Sequence, residues 1–530
     1  MSGAFERRLE PASSVECSRH AARAPSVVAT FTRRGTLTEA PAPRGLRRHQ
    51  AITLSLLFLA GIVNFLDRSS LSIANTTVRA EMHLNATEMG WLLSAFSFAY
   101  GFAQLPLIGL LDRVGTRFVL GGGLTLWSAA QMLTGLVRGL PSFLFLRVLL
   151  GIGEAPFYPS GIRSTREWFS PATRGRATAV MSSSSTFGMA VAPPFLTWVM
   201  LAIGWRSMFL LLGAAGLVVA ALWIALHRAR QDTPFAEEAG KREQGTGGSE
   251  QPETIEWKVA NGEQSGAPSS TPQAAKVGIR AKLEPFSLTR PKDPSSRPKA
   301  QWPAAEGPAS PSQPQEPAWR ALIRQRTVWG MMLGWGGINY TVWLYLAWLP
   351  AYLQDQRHLS LATSGWIAAL PFLAGAVGML TSGALSDRLA RAGLPLTTIH
   401  RRNLIFGMIV SAASTFVVAR SESTTQAVAG ISMALFFIHF AGTSGWGYVQ
   451  AVSPLRYVAS LGALQNFASF MIASAAPVLT GWLLDRTHSF TIALGLCSAI
   501  TLLGALSYAT LAAPGGMHLE QRSHITPRPH

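Results

Sequence analysis

The run "AITLSLLFLAGIVNFLDRSSLSIANTT", Ala51 to Thr77, decides how this chain is read. Its first thirteen residues, up to Val63, carry no charge. The whole stretch exceeds the roughly 20 mostly apolar residues that cross a bilayer core. Inside it stand Asp67 and Arg68, side by side. Charges at membrane depth are expensive, so such a pair reads first as a working site. The competing reading is a buried helix of a soluble protein with a satisfied ion pair. The rest of the chain separates the two.

Of 530 residues, 48% are hydrophobic and only 14% are charged. A soluble chain would carry about 25% charged residues. Mean hydropathy is a modest +0.24, because the polar residues are concentrated in two places. Residues 1–50 and 228–325 hold much of that content, and the second segment holds every lysine, from Lys241 to Lys299. Cys17 and Cys497 are the only cysteines, which excludes a disulfide framework and a cysteine-built metal site. No cofactor and no metal are expected. A net charge of +18 would suit nucleic acid. The arginines, however, fall between apolar runs, where membrane orientation accounts for them, so no nucleic-acid partner is expected. No short apolar segment precedes Ala51, so a cleavable secretory signal is not expected.

Apolar spans fall at about 51–77, 90–111, 117–137, 141–163, 177–200 and 205–227. Six more follow at about 327–353, 363–385, 402–420, 425–450, 458–483 and 489–513. The short loops after even-numbered spans are rich in arginine: Arg113 and Arg117, then Arg163, Arg166, Arg174 and Arg176, then Arg388, Arg391, Arg401 and Arg402. Positive loops stay in the cytoplasm, so both termini are placed there. The expected organisation is a disordered basic tail (1–50), a six-helix bundle (51–227), a disordered cytoplasmic linker (228–325), a second bundle (326–513) and a short tail (514–530). The linker is Pro, Ser, Gly, Gln and Glu with almost no periodicity. The fold class is an all-α membrane protein with twelve transmembrane helices in two pseudo-symmetric bundles.

Two stretches echo each other across these halves. "GLLDRVGTRF" runs from Gly109 to Phe118, and "GALSDRLARAG" from Gly383 to Gly393. Internal repeats of this kind mark transporters. The first copy resembles the signature loop of the major facilitator superfamily. Within it the chain resembles the anion:cation symporters, the branch of aldonate, aldarate, hexuronate and phthalate permeases. The resemblance is carried by "NFLDRSSLSIA" in the first span, "RVLLGIGEAPFYPSGI" (Arg147 to Ile162), "NYTVWLYLAWLPAYL" (Asn339 to Leu353) and "LQNFAS" (Leu464 to Ser469). It implies a gating role for Gly109, Asp112, Arg113, Gly115 and Arg117, and for Asp387 and Arg388 in the second copy. Asp112 would cap a facing helix end and pair with a base, latching the cytoplasmic side.

The buried charges can be read without the family. Arg147 and Glu154 are seven positions apart, so two helical turns place them on one face. Asp67 and Arg68 point about 100° apart and need not pair with each other. Around one cavity, the four sum to zero charge when both acids are ionised. Arg68 suits a substrate carboxylate, because its planar guanidinium offers two donors in a fork. Arg147 is free to neutralise Asp67 or Glu154. Two carboxylates sharing a low-dielectric site exchange a proton as a coupled pair. Protonation then releases an arginine and favours anion binding, a reciprocal coupling of two ligands. The resemblance implies the same roles, with Asp67 and Glu154 as proton carriers, Arg68 as substrate base and Arg147 as its partner. A static network that only packs the helices is the alternative.

The resemblance also implies that Tyr100, Trp446 and Asn466 line a sugar-acid site, and Thr443 offers a further hydroxyl. Asn339 and Tyr340 are added candidates, while His439 reads better as a packing residue. Two positions depart from the pattern. Phe65 stands where sugar-acid members often carry Tyr, and Ser185 where some carry a longer amide. Both changes remove polar reach, so a shorter, less hydroxylated or aromatic acid is admitted.

The function expected is proton-coupled import of an organic carboxylate by a monomer in a bacterial inner membrane, with the anion, protons and the lipid bilayer as its only partners. No phosphate-cradling Gly-x4-Gly-Lys motif is present to bring ATP, and no catalytic cluster suggests an enzyme. Proton-antiport efflux, sugar-phosphate exchange and a carboxylate-sensing receptor are the alternatives. The fifth span, "GMAVAPPFLTWV", lacks the glycine run of antiporters. Asp67 and Glu154 speak against a two-arginine phosphate exchanger.

Overall fold

The computed structural model describes residues 44–228, 318–453 and 457–512. The described residues form fifteen α-helices and one π-helical turn, with no strand among them. The first half holds α1 (Arg44–Ile73), α2 (Asn75–Met82), α3 (Ala86–Val114), α4 (Thr116–Thr134), α5 (Leu140–Glu154), α6 (Phe157–Trp168) and α7 (Pro171–Leu226). The second holds α8 (Ala318–Ile323), α9 (Arg326–Ala351), the π turn Tyr352–Gln356, α10 (Leu361–Arg391), α11 (Leu396–Arg420), α12 (Thr424–Val452), α13 (Val458–Ala473), α14 (Ala475–Thr487) and α15 (Thr491–Thr510).

Among the described residues, eight helical stretches are long and apolar enough to cross a membrane on length and composition alone. One of them is α7, which holds two passes. Gly204 breaks it with a φ of 79°, a left-handed turn that costs a residue with a side chain dearly. The first part of α7 runs beside α1, with Ser184 against Gly61 and Phe65 against Gly188. The second part runs back along α4, with Arg206 bonded to Val137 O and Arg117 to Ile224 O. With α3, α4 and α9 the described residues make twelve passes, six in each half. The outer faces carry large apolar side chains such as Trp366 and Leu380, 69% and 76% exposed, as lipid contact requires.

The halves meet along three seams: α1 with α9, α3 with α13 and α14, and α7 with α10. Within the first half, glycines let backbones close in around the future site. A Cβ on Gly151 would lie 2.4 Å from Phe96 O, and one on Gly153 2.6 Å from Trp127 N. Glu154 follows directly, so this packing presses it inward, where it is fully buried.

Two boundaries differ from the sequence expectation. Helix α1 starts at Arg44, ahead of the apolar run, because its polar first turns are anchored. Gln50 Nε2 donates to Trp168 O at 2.7 Å, and the His49 ring packs on Trp168. Helix α8 and the linker's last residues are ordered near α9, with Trp329 Nε1 donating to Ile323 O. The rest of the expected tails and linker lies outside the described residues.

His227, just beyond α7, ties the arginine-rich end together. Its ring stacks on Trp223 at 4.0 Å, and its two nitrogens meet Thr53 Oγ1 and Thr116 Oγ1, each at 3.3 Å. Burial, with Arg117 nearby, pushes its pKa down to about 4. An unfolded histidine titrates near 6.5. Below that value the unfolded chain binds the extra proton, so stability falls as pH drops from about 6.5 to about 4. Thermal melts of His227→Gln should show a flatter pH dependence than wild type across that window. Parallel curves would remove His227 as the cause.

Candidate functional site

Helix α1 sends Asn64, Phe65, Asp67 and Arg68 inward, and all four are buried. Arg68 Nε donates to Glu154 Oε2 at 2.6 Å. Three rings surround the guanidinium: Phe65 and Phe96 at 5.2 Å and Tyr100 at 4.8 Å from Cζ. Cation–π attraction of this kind strengthens once water is excluded. The pair is not saturated. Arg68 Nη2 and Glu154 Oε1 make no hydrogen bond.

Arg147 lies 5.4 Å from the same Phe96 ring. It makes no ion pair with Asp67 or Glu154, either of which the sequence reading left it free to neutralise. Its Nε is aimed at Leu92 O, 3.4 Å away, and Nη1 has no partner. The reason is the close α3–α5 approach at Gly151, which sets Arg147 against the α3 backbone. The ion pair with Glu154 falls to Arg68 instead.

Asp67 is fully buried, and neither oxygen has a hydrogen-bond partner. It makes no ion pair with its neighbour Arg68, in line with their angular separation. It faces α4, where Trp127 and Gln131 are equally buried. Gln131 Nε2 donates to Ser70 Oγ at 2.9 Å, and Ser70 Oγ donates to Asp67 O at 2.7 Å. The two acids thus occupy unlike settings, one in contact with a guanidinium and one without a cation in contact.

The second half supplies a roof. Tyr100 packs on Phe470 at 4.7 Å, and Phe96 on Trp343 at 5.7 Å. Asn466 Nδ2 donates to Gln104 Oε1 across the halves at 2.9 Å, and Asn339 Nδ2 to Ser469 Oγ at 2.8 Å. Thr443 Oγ1 is turned back to His439 O, and Trp446 packs edge-on against Trp335. Neither makes a hydrogen bond or ring contact with the Arg68 cluster. Tyr340 is buried in the second half's core, and His439 Nδ1 meets Leu435 O of its own helix.

Sequence reading missed Tyr158 and Gln104. The Tyr158 hydroxyl is hydrogen-bonded to Ser185 Oγ. The polar reach expected to be lost at Ser185 is therefore partly restored by a phenol from α6. Its position four residues after Glu154 was a usable signal, masked by the helix break at Pro156. Gln104 carried no signal beyond a polar residue in an apolar span.

The gating residues are less well gathered. Of Gly109 and Asp112 only the helical backbone is described. Gly115 takes a φ of 81° between α3 and α4. Arg117 bonds Ile224 O in its own half with two nitrogens, at 3.0 and 2.8 Å, rather than reaching across. Arg113, Asp387 and Arg388 are exposed, and no ion pair joins them to the opposite half among the described residues.

The sequence profile described as "Major Facilitator Superfamily" matches residues 57–477. The chain is 41% identical over 466 residues to the "Probable L-galactonate transporter" of Escherichia coli (strain K12), covering 88% of this chain and 90% of that protein. It is 29% identical to the "Probable galactarate/D-glucarate transporter" of the same strain, covering 86% and 93%. Among solved structures, a bacterial homologue of the human lysosomal transporter Spinster, inward-facing and occupied, superposes with a TM-score of 0.62 at 14% identity. That alignment covers 88% of this chain and 97% of the other.

Removing one partner of a buried ion pair leaves an uncompensated charge and costs about 3–5 kcal/mol, while replacing both with apolar groups is often neutral. Glu154→Leu should therefore lower the melting temperature more than the double variant Arg68→Met/Glu154→Leu. Additive losses in thermal melts would show that the two side chains do not act as a pair.

Proposed function

The chain belongs to the Major Facilitator Superfamily, and within it we propose that it imports a sugar acid together with protons by alternating access. It is a multi-pass membrane transporter, not an enzyme. The observation that carries the proposal is the Arg68–Glu154 contact, buried inside an aromatic cage with one donor and one acceptor left over.

The coupling follows from charge. A substrate carboxylate competes with Glu154 for the Arg68 fork. If Glu154 stays ionised while the anion binds, the site carries an extra buried negative charge. If Glu154 takes a proton with no anion present, Arg68 is left as an unpaired cation. Each state is costly in low dielectric. With the charges on Arg147 and Asp67 unchanged through the cycle, the empty ion pair and the doubly loaded site, holding one proton and one carboxylate, carry the same net charge. Proton and anion therefore move together, and each raises the affinity for the other. Asp67, buried with no cation in contact, accommodates the neutral acid better than the carboxylate. It is the second proton site in this reading.

The substrate class is supported by the names of the relatives, which are galactonate and galactarate/glucarate transporters. The Tyr158–Ser185 pair provides hydroxyl-recognising groups suited to a polyhydroxylated chain. In this reading the arginine-rich loops and both termini face the cytoplasm across a bacterial inner membrane. A monomer suffices, since every named group lies on one chain.

Two variants test the reading in proteoliposomes. Glu154→Gln should abolish proton-driven accumulation of a sugar acid while retaining binding or exchange, and normal uphill accumulation would overturn the proton assignment. Arg68→Lys should weaken binding by about tenfold or more, and Arg68→Ala should lose it, since an ammonium cannot replace a two-donor fork. Unchanged affinity in both would remove Arg68 from the site.

A further inference from the structure

Helix α3 begins with three backbone N–H groups that its own turns cannot satisfy. Asn85, its N-cap, takes one: Asn85 Oδ1 accepts from Glu88 N at 2.8 Å, and Glu88 Oε2 accepts from Asn85 N at 2.9 Å. The other two are taken by the opposite half of the molecule. Ala86 N donates to Asp485 Oδ1 at 2.9 Å and Thr87 N to Asp485 Oδ2 at 2.7 Å. Thr87 Oγ1 adds a third bond to Asp485 Oδ2 at 2.5 Å.

Asp485 is poorly placed for its own helix. It lies in the last turn of α14, where the helix dipole is negative and a carboxylate is disfavoured. The positive start of α3 compensates for that position only while the two halves touch. Glycine allows the approach. A Cβ on Gly481 would lie 2.1 Å from Ala86 O, and one on Gly90 2.6 Å from Pro477 O.

Other links across the halves fall on the same end. Arg79 Nη1 meets Asp355 Oδ2 at 3.0 Å, Thr76 Oγ1 donates to Gln354 Oε1 at 2.7 Å, and Ser72 Oγ donates to Ala347 O at 3.0 Å. The sequence carries a matching sign. Leu483-Leu484-Asp485-Arg486 repeats the letters of Leu110-Leu111-Asp112-Arg113, which lie at the opposite end of the chain's passes.

We infer that Asp485 is a gating residue: by capping α3 from the other half it holds the arginine-poor end closed, as a counterpart to the loop around Asp112. The inference rests on the alternating-access reading above. Opening this end separates Asp485 from α3 and leaves the carboxylate against its own helix terminus. The capping bonds therefore weight the cycle toward the state closed at this end, and weakening them shifts the population to the state open there.

A labelling experiment in detergent tests this without substrate or proton gradient. Cys17 is replaced by Ser, Ser72→Cys reports the gate, and the native Cys497, buried in the core of the second half, reports unfolding. Maleimide should react slowly with both sites in this background. Asp485→Ala should raise the rate at Ser72→Cys by about tenfold or more and leave Cys497 unchanged. Asp485→Asn and Thr87→Val, which each keep part of the cap, should give smaller rises, and they serve where the alanine variant does not fold. An unchanged rate at Ser72→Cys, or an equal rise at both cysteines, overturns the gate. Raised gate labelling in Asp485→Ala, together with no proton-driven uptake by the wild-type protein, overturns the symport proposal and leaves the gate standing. Intact uptake with unchanged labelling overturns the gate alone.

Discussion

The contact between Arg68 Nε and Glu154 Oε2 is buried, with Glu154 fully enclosed and the Arg68 side chain 6% exposed. In that setting net charge is the costly quantity, and a change on one partner demands a compensating change nearby. Much of the surrounding structure serves to keep that condition strict. Phe65, Phe96 and Tyr100 exclude solvent from the guanidinium while leaving its fork flat. Gly151 and Gly153 bring α5 against α3 and α4, so that Glu154 arrives at contact distance. In the proposed symport cycle, a site that tolerated stray charge would leak either protons or anions.

The two acids differ in environment. Glu154 contacts a cation, for which a substrate anion competes in the proposed cycle. Asp67 contacts none, and its neighbours on α4 are an indole and an amide. The same carboxyl group thus meets different surroundings, a guanidinium from α1 in the case of Glu154 and the side chains of α4 in the case of Asp67. Arg147, held toward the α3 backbone, supplies positive potential without a committed partner.

Alternating access, as proposed, requires the halves to part, and the interfaces are compatible with that. Near the site they meet through aromatic rings and a few polar bonds, such as Asn466 to Gln104, that slide or exchange at small cost. At the end where α3 begins they meet through charge-assisted bonds to a helix terminus. These are directional and are lost together when the surfaces separate, which suits a two-state closure.

The sequence alone settled the passes, because about 20 apolar residues in a row have few soluble explanations. It also picked out Asp67, Arg68, Arg147 and Glu154, since ionisable groups in such runs are rare. Helical spacing put Arg147 and Glu154 on one face, and the angle between Asp67 and Arg68 kept them apart. What spacing could not supply was the partner on another helix. That Arg68 rather than Arg147 holds Glu154 depends on how closely α3 and α5 approach. Tyr158 reaching Ser185 depends on the break at Pro156, and the capping of α3 by Asp485 joins residues almost four hundred positions apart. Composition and periodicity report each helix's relation to lipid and water. Which side chains meet is decided by helix-to-helix distances, and those exist only in the folded molecule.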